Sequence, residues 1–96
     1  MNLVLNYEDY EPYFVERNEM MGGIQYLFKF ENQYGASVIK HKGSYGYEQD
    51  LWELAVIKYN DCGQWHLDFK TDITSDVEGY LTNEDVIDLL KQIKEL

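Results

Sequence analysis

Apolar side chains occupy both odd and even positions along Leu51-Trp52-Glu53-Leu54-Ala55-Val56-Ile57-Lys58-Tyr59, the longest run of this kind in the chain. Alternate side chains of a strand point to opposite faces, so such a run must be covered on both sides and predicts a central strand. Upstream, Ile24, Tyr26, Phe28 and Phe30 alternate with Gln25, Leu27, Lys29 and Glu31, and Ala36 to His41 returns after Asn32-Gln33-Tyr34-Gly35. This pattern predicts a hairpin, with Gly35 taking positive φ at the end of a tight turn. Downstream, Asn60-Asp61-Cys62-Gly63 is built in the same way, and Trp65, Leu67 and Phe69 then alternate with His66, Asp68 and Lys70. Short turns join neighbouring strands, so a meander of four antiparallel strands is the simplest topology.

The one strong helical period lies at the C-terminus. Thr82 stands just before it with Asp85 three residues on, the spacing of a capping box, and Leu81 and Val86 fall at staple positions. Val86, Leu89, Leu90, Ile93 and Leu96 form one apolar stripe, while Glu84, Asp85 and Asp88 near the start and Lys91 and Lys94 near the end complement the helix dipole. The expected fold is therefore α+β: a four-stranded antiparallel meander with one C-terminal helix packed on one face.

Residues 1–96 read as one domain, comprising an acidic, Tyr-rich N-terminal segment (1–21), an antiparallel sheet (22–70) and the helix (82–96). Leu3-Val4-Leu5 is expected to add a strand or cover an edge, and Pro12 argues against a helix through Tyr7 to Glu19. One helix covers one sheet face. The second face, carrying Leu51, Ala55 and Ile57, is expected to be covered by the N-terminal segment or by a second copy of the chain.

Composition narrows the class. The 96 residues are 45% hydrophobic and 16% aromatic with a single Pro, enough for a core and contrary to general disorder. One cysteine, Cys62, excludes an internal disulfide and points to a reducing setting. No apolar run approaches the roughly 20 residues of a membrane helix, and Met1 is followed by no basic segment. Eighteen acidic against eight basic residues give a formal charge of −10, which disfavours direct binding to nucleic acid or anionic membrane and favours a cationic partner.

No catalytic or cofactor signature stands out. Asp72-Ile73-Thr74-Ser75-Asp76-Val77-Glu78 alternates oxygen-bearing side chains, but Val77 and Asn83 occupy the positions where an EF-hand needs Gly and Glu. Cys62, His66 and His41 are too few for a structural zinc site. Ser44, His41 and Asp50 supply the residue types of a hydrolase without its strand-elbow-helix context, and Gly43-Ser44-Tyr45-Gly46 precedes a strand and offers phosphate no helix N-terminus. No enzyme activity, metal or cofactor is expected. The tyrosines carry more weight, because exposed Tyr supplies large, stiff contact area. The expected interaction residues are Tyr45, Tyr47, Glu48 and Asp50 in the loop before the central strand, then Glu8, Asp9, Tyr10 and Glu11 in the N-terminal segment.

Several blocks occur in a recognisable order: Gly22-Gly23-Ile24-Gln25-Tyr26, Tyr34-Gly35-Ala36-Ser37-Val38-Ile39, Ser44-Tyr45-Gly46-Tyr47, Leu51-Trp52-Glu53-Leu54-Ala55-Val56, and Asp72 to Leu81 with the capped helix. From about Gly22 to Ile93 the chain resembles a group of small uncharacterised proteins encoded by bacteriophages. The resemblance implies a phage accessory protein in the host bacterial cytoplasm and transfers no functional residue. Together with the charge, it suggests a non-enzymatic protein that binds a protein partner with a basic surface, as an inhibitor of a nucleic-acid-binding protein in its sharpest form. The alternative is a structural or self-associating homodimer associated with the virion.

Overall fold

The computed structural model describes residues 1–96. Its strands are β1 (Phe14–Met20), β2 (Gly23–Lys29), β3 (Tyr34–Lys40), β4 (Trp52–Tyr59), β5 (Trp65–Leu67) and β6 (Glu78–Leu81), followed by helix α1 (Asn83–Lys94). All pairings are antiparallel. The sheet runs β1-β2-β3-β4-β5, with β6 also on β4. The α+β class and the C-terminal helix are as expected, but the sheet has six strands where four were expected.

Each added strand has a physical reason. β1 joins β2 through Met21 (φ 47°) and Gly22 (φ 74°), two left-handed residues whose twist suits a two-residue hairpin. Its sequence, Phe-Val-Glu-Arg-Asn-Glu-Met, shows no clean alternation, since β1 is an edge strand without a buried residue and its register also shifts between Phe14 and Glu16. The expected last strand ends early, at Leu67, where Asp68 Oδ1 accepts from the Lys70 amide at 2.9 Å and turns the chain away. That vacates half of the β4 edge. β6 takes it, pairing Leu81 with Trp52 and Glu78 with Leu54.

The Asn60 turn forms as expected, with Gly63 at φ 81° and Asn60 Oδ1 accepting from the amides of Cys62 and Gln64. The earlier turn differs. Gln33 (φ 72°) is its left-handed residue, and Gly35 already lies in β3. Gly35 is required for another reason: a Cβ there would sit 1.9 Å from the Phe28 carbonyl oxygen and 3.0 Å from the Tyr59 ring.

The capping box forms, with the Asp85 amide donating to Thr82 Oγ1 (3.1 Å) and the Thr82 amide to Asp85 Oδ2 (3.0 Å). Val86, Leu90 and Ile93 are fully buried against Trp52, Leu54, Val56, Ala36 and Val38. Leu96 departs from the stripe and is exposed, because the helix ends before it.

α1 lies against β3, β4 and β6, which leaves the β1–β2 half of the same face bare. The N-terminal segment fills that half, so it does not cover the second face as expected. Leu5 is buried, its amide donating to the Tyr26 hydroxyl (3.3 Å), which donates to the Leu3 carbonyl (3.1 Å). Tyr7 stacks on Phe14 at 5.2 Å and meets Phe28 edge-on at 5.3 Å. Glu8–Tyr13 form a single 3-10 helix, η1, with Pro12 as its penultimate residue, and the chain turns to extended backbone at Phe14, so no helix runs through to Glu19.

The second face carries a polar network and a small apolar cluster of its own. Across it Asn18 Nδ2 donates to Gln25 Oε1 (3.1 Å) and Gln25 Nε2 to Ser37 Oγ (3.0 Å). Tyr59 lies against Gly35 and joins Leu27 and Ile57 in a second, smaller buried cluster.

Candidate interaction surface

The cations decide what the surface looks like, because most of them are drawn onto aromatic rings. Lys40 is buried, its ammonium 4.2 Å from the Trp52 ring centroid, donating to the Asn2 carbonyl (2.7 Å) and Asp50 Oδ1 (2.9 Å). Arg17, Lys29, Lys58 and Lys94 stand over Tyr26, Tyr59, Tyr34 and Tyr13 at 4.7 to 5.7 Å. These four cations sit against a ring quadrupole with no carboxylate partner, Arg17 Nε also donating to the Tyr26 hydroxyl at 3.3 Å. Lys40 to Asp50 is the one ion pair, so Asp50 alone among 18 acidic side chains has a cationic partner within 4.0 Å.

This changes the first set of expected residues. Asp50, at φ 61°, turns towards Lys40 and accepts the Asn2 amide at 3.0 Å; the Lys40 hydrogen bond first, then that amide, holds its carboxyl below the usual range. It ties the N-terminus to the loop. Tyr47 is half-buried, Glu48 is exposed, and Tyr45 is exposed with its amide donating to Glu53 Oε1 at 2.9 Å. Tyr45 acquires a neighbour that the sequence reading did not assign: Tyr80 of β6, with ring centroids 6.5 Å apart. These are the two exposed members of nine tyrosines. The other seven pack, at least in part, into the protein.

The second set comes together with residues of α1. Asn6 and Asn83 clasp reciprocally, the Asn6 amide donating to Asn83 Oδ1 (2.7 Å) and Asn83 Nδ2 to the Asn6 carbonyl (2.8 Å). That clasp sets η1 beside the start of α1 and leaves a groove of about 320 Å³, lined by Glu8, Asp9, Tyr10, Glu84 and Ile87 with the two asparagines. Glu8 and Asp9 are exposed, as is Glu11 beside them; Tyr10 is half-buried, its ring edge-on to Phe30. Burial foremost, with Asp9, Glu95 and Asp88 adding to it against the opposing pull of Lys94, pushes the Tyr10 hydroxyl pKa up. Glu84 and Ile87 were missed as surface partners. Ile87, an apolar residue off the helical stripe, was the available signal.

The other chemical candidates do not assemble. Ser44 Oγ bonds the backbone of His41, His41 Nδ1 lies 2.8 Å from the Lys42 carbonyl, and Asp50 is engaged by Lys40. No three His, Cys, Asp or Glu side chains stand close enough to hold a metal ion. Cys62 and His66 are both exposed, and Asp76 accepts from the Val77 amide. No helix is long and apolar enough to cross a membrane. No family model, curated protein or solved structure matches the chain.

Proposed function

We propose that this is a non-enzymatic accessory protein that binds a macromolecule with a basic surface, through the acidic groove between η1 and α1. The observation that carries the reading is the disposition of charge: five of eight cations lie on aromatic rings and one carboxylate of 18 is ion-paired, so the others have no cationic partner and, apart from the buried Glu53 and Asp68, are exposed. Unneutralised like charge costs self-repulsion, and a cationic partner relieves it. In the finer version the carboxylates of η1 and α1 stand in for phosphates and occupy the basic groove of a nucleic-acid-binding protein. An accessory role in a host bacterial cytoplasm is also what the resemblance of the ordered blocks to small phage proteins implies.

The test is capture of partners from bacterial lysate by the wild type and by a Glu8→Gln, Asp9→Asn, Glu84→Gln triple variant. A single basic protein retained at low salt, released at high salt and lost with the variant is expected. Retention indifferent to both salt and the variant overturns the reading.

A second reading, a self-associating structural protein, draws on Trp65 and Leu67. Both are exposed on β5, beside the Leu27, Ile57 and Tyr59 cluster of the second face. A monomer at micromolar concentration in sedimentation equilibrium excludes an obligate dimer.

A further inference from the structure

We infer that Tyr45 and Tyr80 form the anchor site for an arginine side chain of the basic partner, an inference that rests on the function proposed above but concerns a different surface. Tyr45 and Tyr80 are 58% and 59% exposed, with ring centroids 6.5 Å apart and planes tilted by 32°, so they form an open aromatic platform. Glu48 belongs to the same groove, of about 250 Å³, whose remaining walls are glycine, Ser44, Tyr47 and Gln49. No aliphatic side chain and no cation lines it.

The platform is held in place by backbone packing rather than by the rings themselves. The Tyr80 amide donates to the Tyr45 carbonyl at 3.3 Å. A Cβ on Gly79 would stand 2.4 Å from Tyr45 Cβ, and one on Gly46 would stand 3.0 Å from Tyr80 Cα, so glycine at both positions lets the loop touch β6. Tyr80 adopts φ 57°, a left-handed backbone that is unfavourable for an aromatic residue and that persists only where its surroundings enforce it. The chain thus keeps two large apolar rings in water, side by side and in a constrained conformation.

What suits that site follows from how the protein uses its other rings. Five rings carry one of its own cations at 4.2 to 5.7 Å. Tyr45 and Tyr80 carry none. The nearest cation in sequence, Lys42, runs instead along the Gly22 turn, where its Cε would lie 3.4 Å from a Cβ on Gly22. Two exposed rings without a cation of their own, the Glu48 carboxylate and the net charge of −10 all select a cation from outside. A guanidinium fits better than an ammonium, because its plane stacks on an aromatic face while its edge presents paired donors to a carboxylate.

The experiment is an NMR titration of the isotopically labelled protein at low salt with acetyl-Gly-Arg-Gly-Arg-Gly-amide and with its lysine counterpart. Ring resonances of Tyr45 and Tyr80 should shift progressively with the arginine peptide, which should bind about threefold or more tightly than the lysine one. Tyr45→Ala and Tyr80→Ala should each weaken binding about two- to fivefold. Both rings lie largely outside the core, and the wild-type ring shifts need no variant, so the result does not hinge on either variant folding. Binding of the arginine peptide with both rings unmoved, or with no preference over lysine, overturns the anchor and leaves the acidic-surface reading standing. No binding of either peptide overturns the anchor, whereas the acidic-groove reading stands or falls on the capture experiment.

Discussion

Asn32 Nδ2 donates to the carbonyl oxygen of Ile93 at 2.9 Å, so the turn between β2 and β3 caps the C-terminus of α1 across 61 residues. The same amide reaches the Lys94 carbonyl (3.3 Å) and the Leu96 carbonyl (3.1 Å). The last carbonyls of a helix have no partner within it, and the two residues after α1, Glu95 and Leu96, are not the glycine of the usual left-handed cap. Asn32 supplies the donors instead, while its Oδ1 accepts from the Tyr34 amide at 2.9 Å and shapes its own turn.

Replacing Asn32 should therefore damage two elements at once. Asn32→Ala is expected to cost about 1 to 2 kcal/mol in denaturant unfolding, because the Lys94 and Leu96 carbonyls and the Tyr34 amide lose their Asn32 partner and the Ile93 carbonyl keeps the Leu96 amide. Asn32→Asp separates the two roles: it retains the acceptor for the turn but removes the donors and adds negative charge beside the negative end of the helix dipole. It should be at least as damaging as alanine. An aspartate variant as stable as the wild type would show that the cap contributes nothing.

The Tyr59 hydroxyl is buried without a hydrogen-bond partner, and burial first, then Glu16, pushes its pKa up. A buried polar group with no partner carries a desolvation cost that its deletion removes. Tyr59→Phe preserves the ring against Gly35 and the Lys29 contact, and is expected to leave stability unchanged or raise it by up to about 1 kcal/mol. A loss on chemical denaturation would mean that the hydroxyl has a partner on the second face.

Lys40 and Asp50 give the acid limb of stability a specific group. The folded-state carboxyl titrates below its ordinary value of 3.8, so the stabilisation from this pair is fully present above that value and is lost as pH falls through the depressed folded one. Asp50→Asn leaves the buried Lys40 ammonium without its counter-charge and should lower the melting temperature at neutral pH more than Asp61→Asn, a change in an exposed turn. The gap between wild type and Asp50→Asn should close in strong acid, which thermal unfolding followed from pH 7 downward reads directly. A gap constant with pH would exclude the ion pair as its cause.

The local pattern by itself determined the strands whose side chains alternate over five or more residues, the tight turn at Asn60, and α1 with its capping box. These features are legible because the side-chain period and the cap chemistry act within a few residues of each other. The partition of β4 was equally legible, with Trp52, Leu54 and Val56 on one face and Ala55 and Ile57 on the other. Tertiary structure decided the remainder. β6 is four residues long and exists because Asp68 ends β5 and leaves the β4 edge unpaired, which no period within Glu78-Gly79-Tyr80-Leu81 encodes. The N-terminal segment went to the helix side because α1 reaches only β3, β4 and β6, a limit set by where the helix lies. The same holds for the surface: exposure depends on what neighbours cover, so Tyr45 stays out while Tyr7 is packed away, and Asp50 is drawn to Lys40 while Glu8 and Asp9 gain Glu84. Hydrophobic spacing fixes which face a side chain takes, but only the assembled chain fixes whether that face meets protein or water.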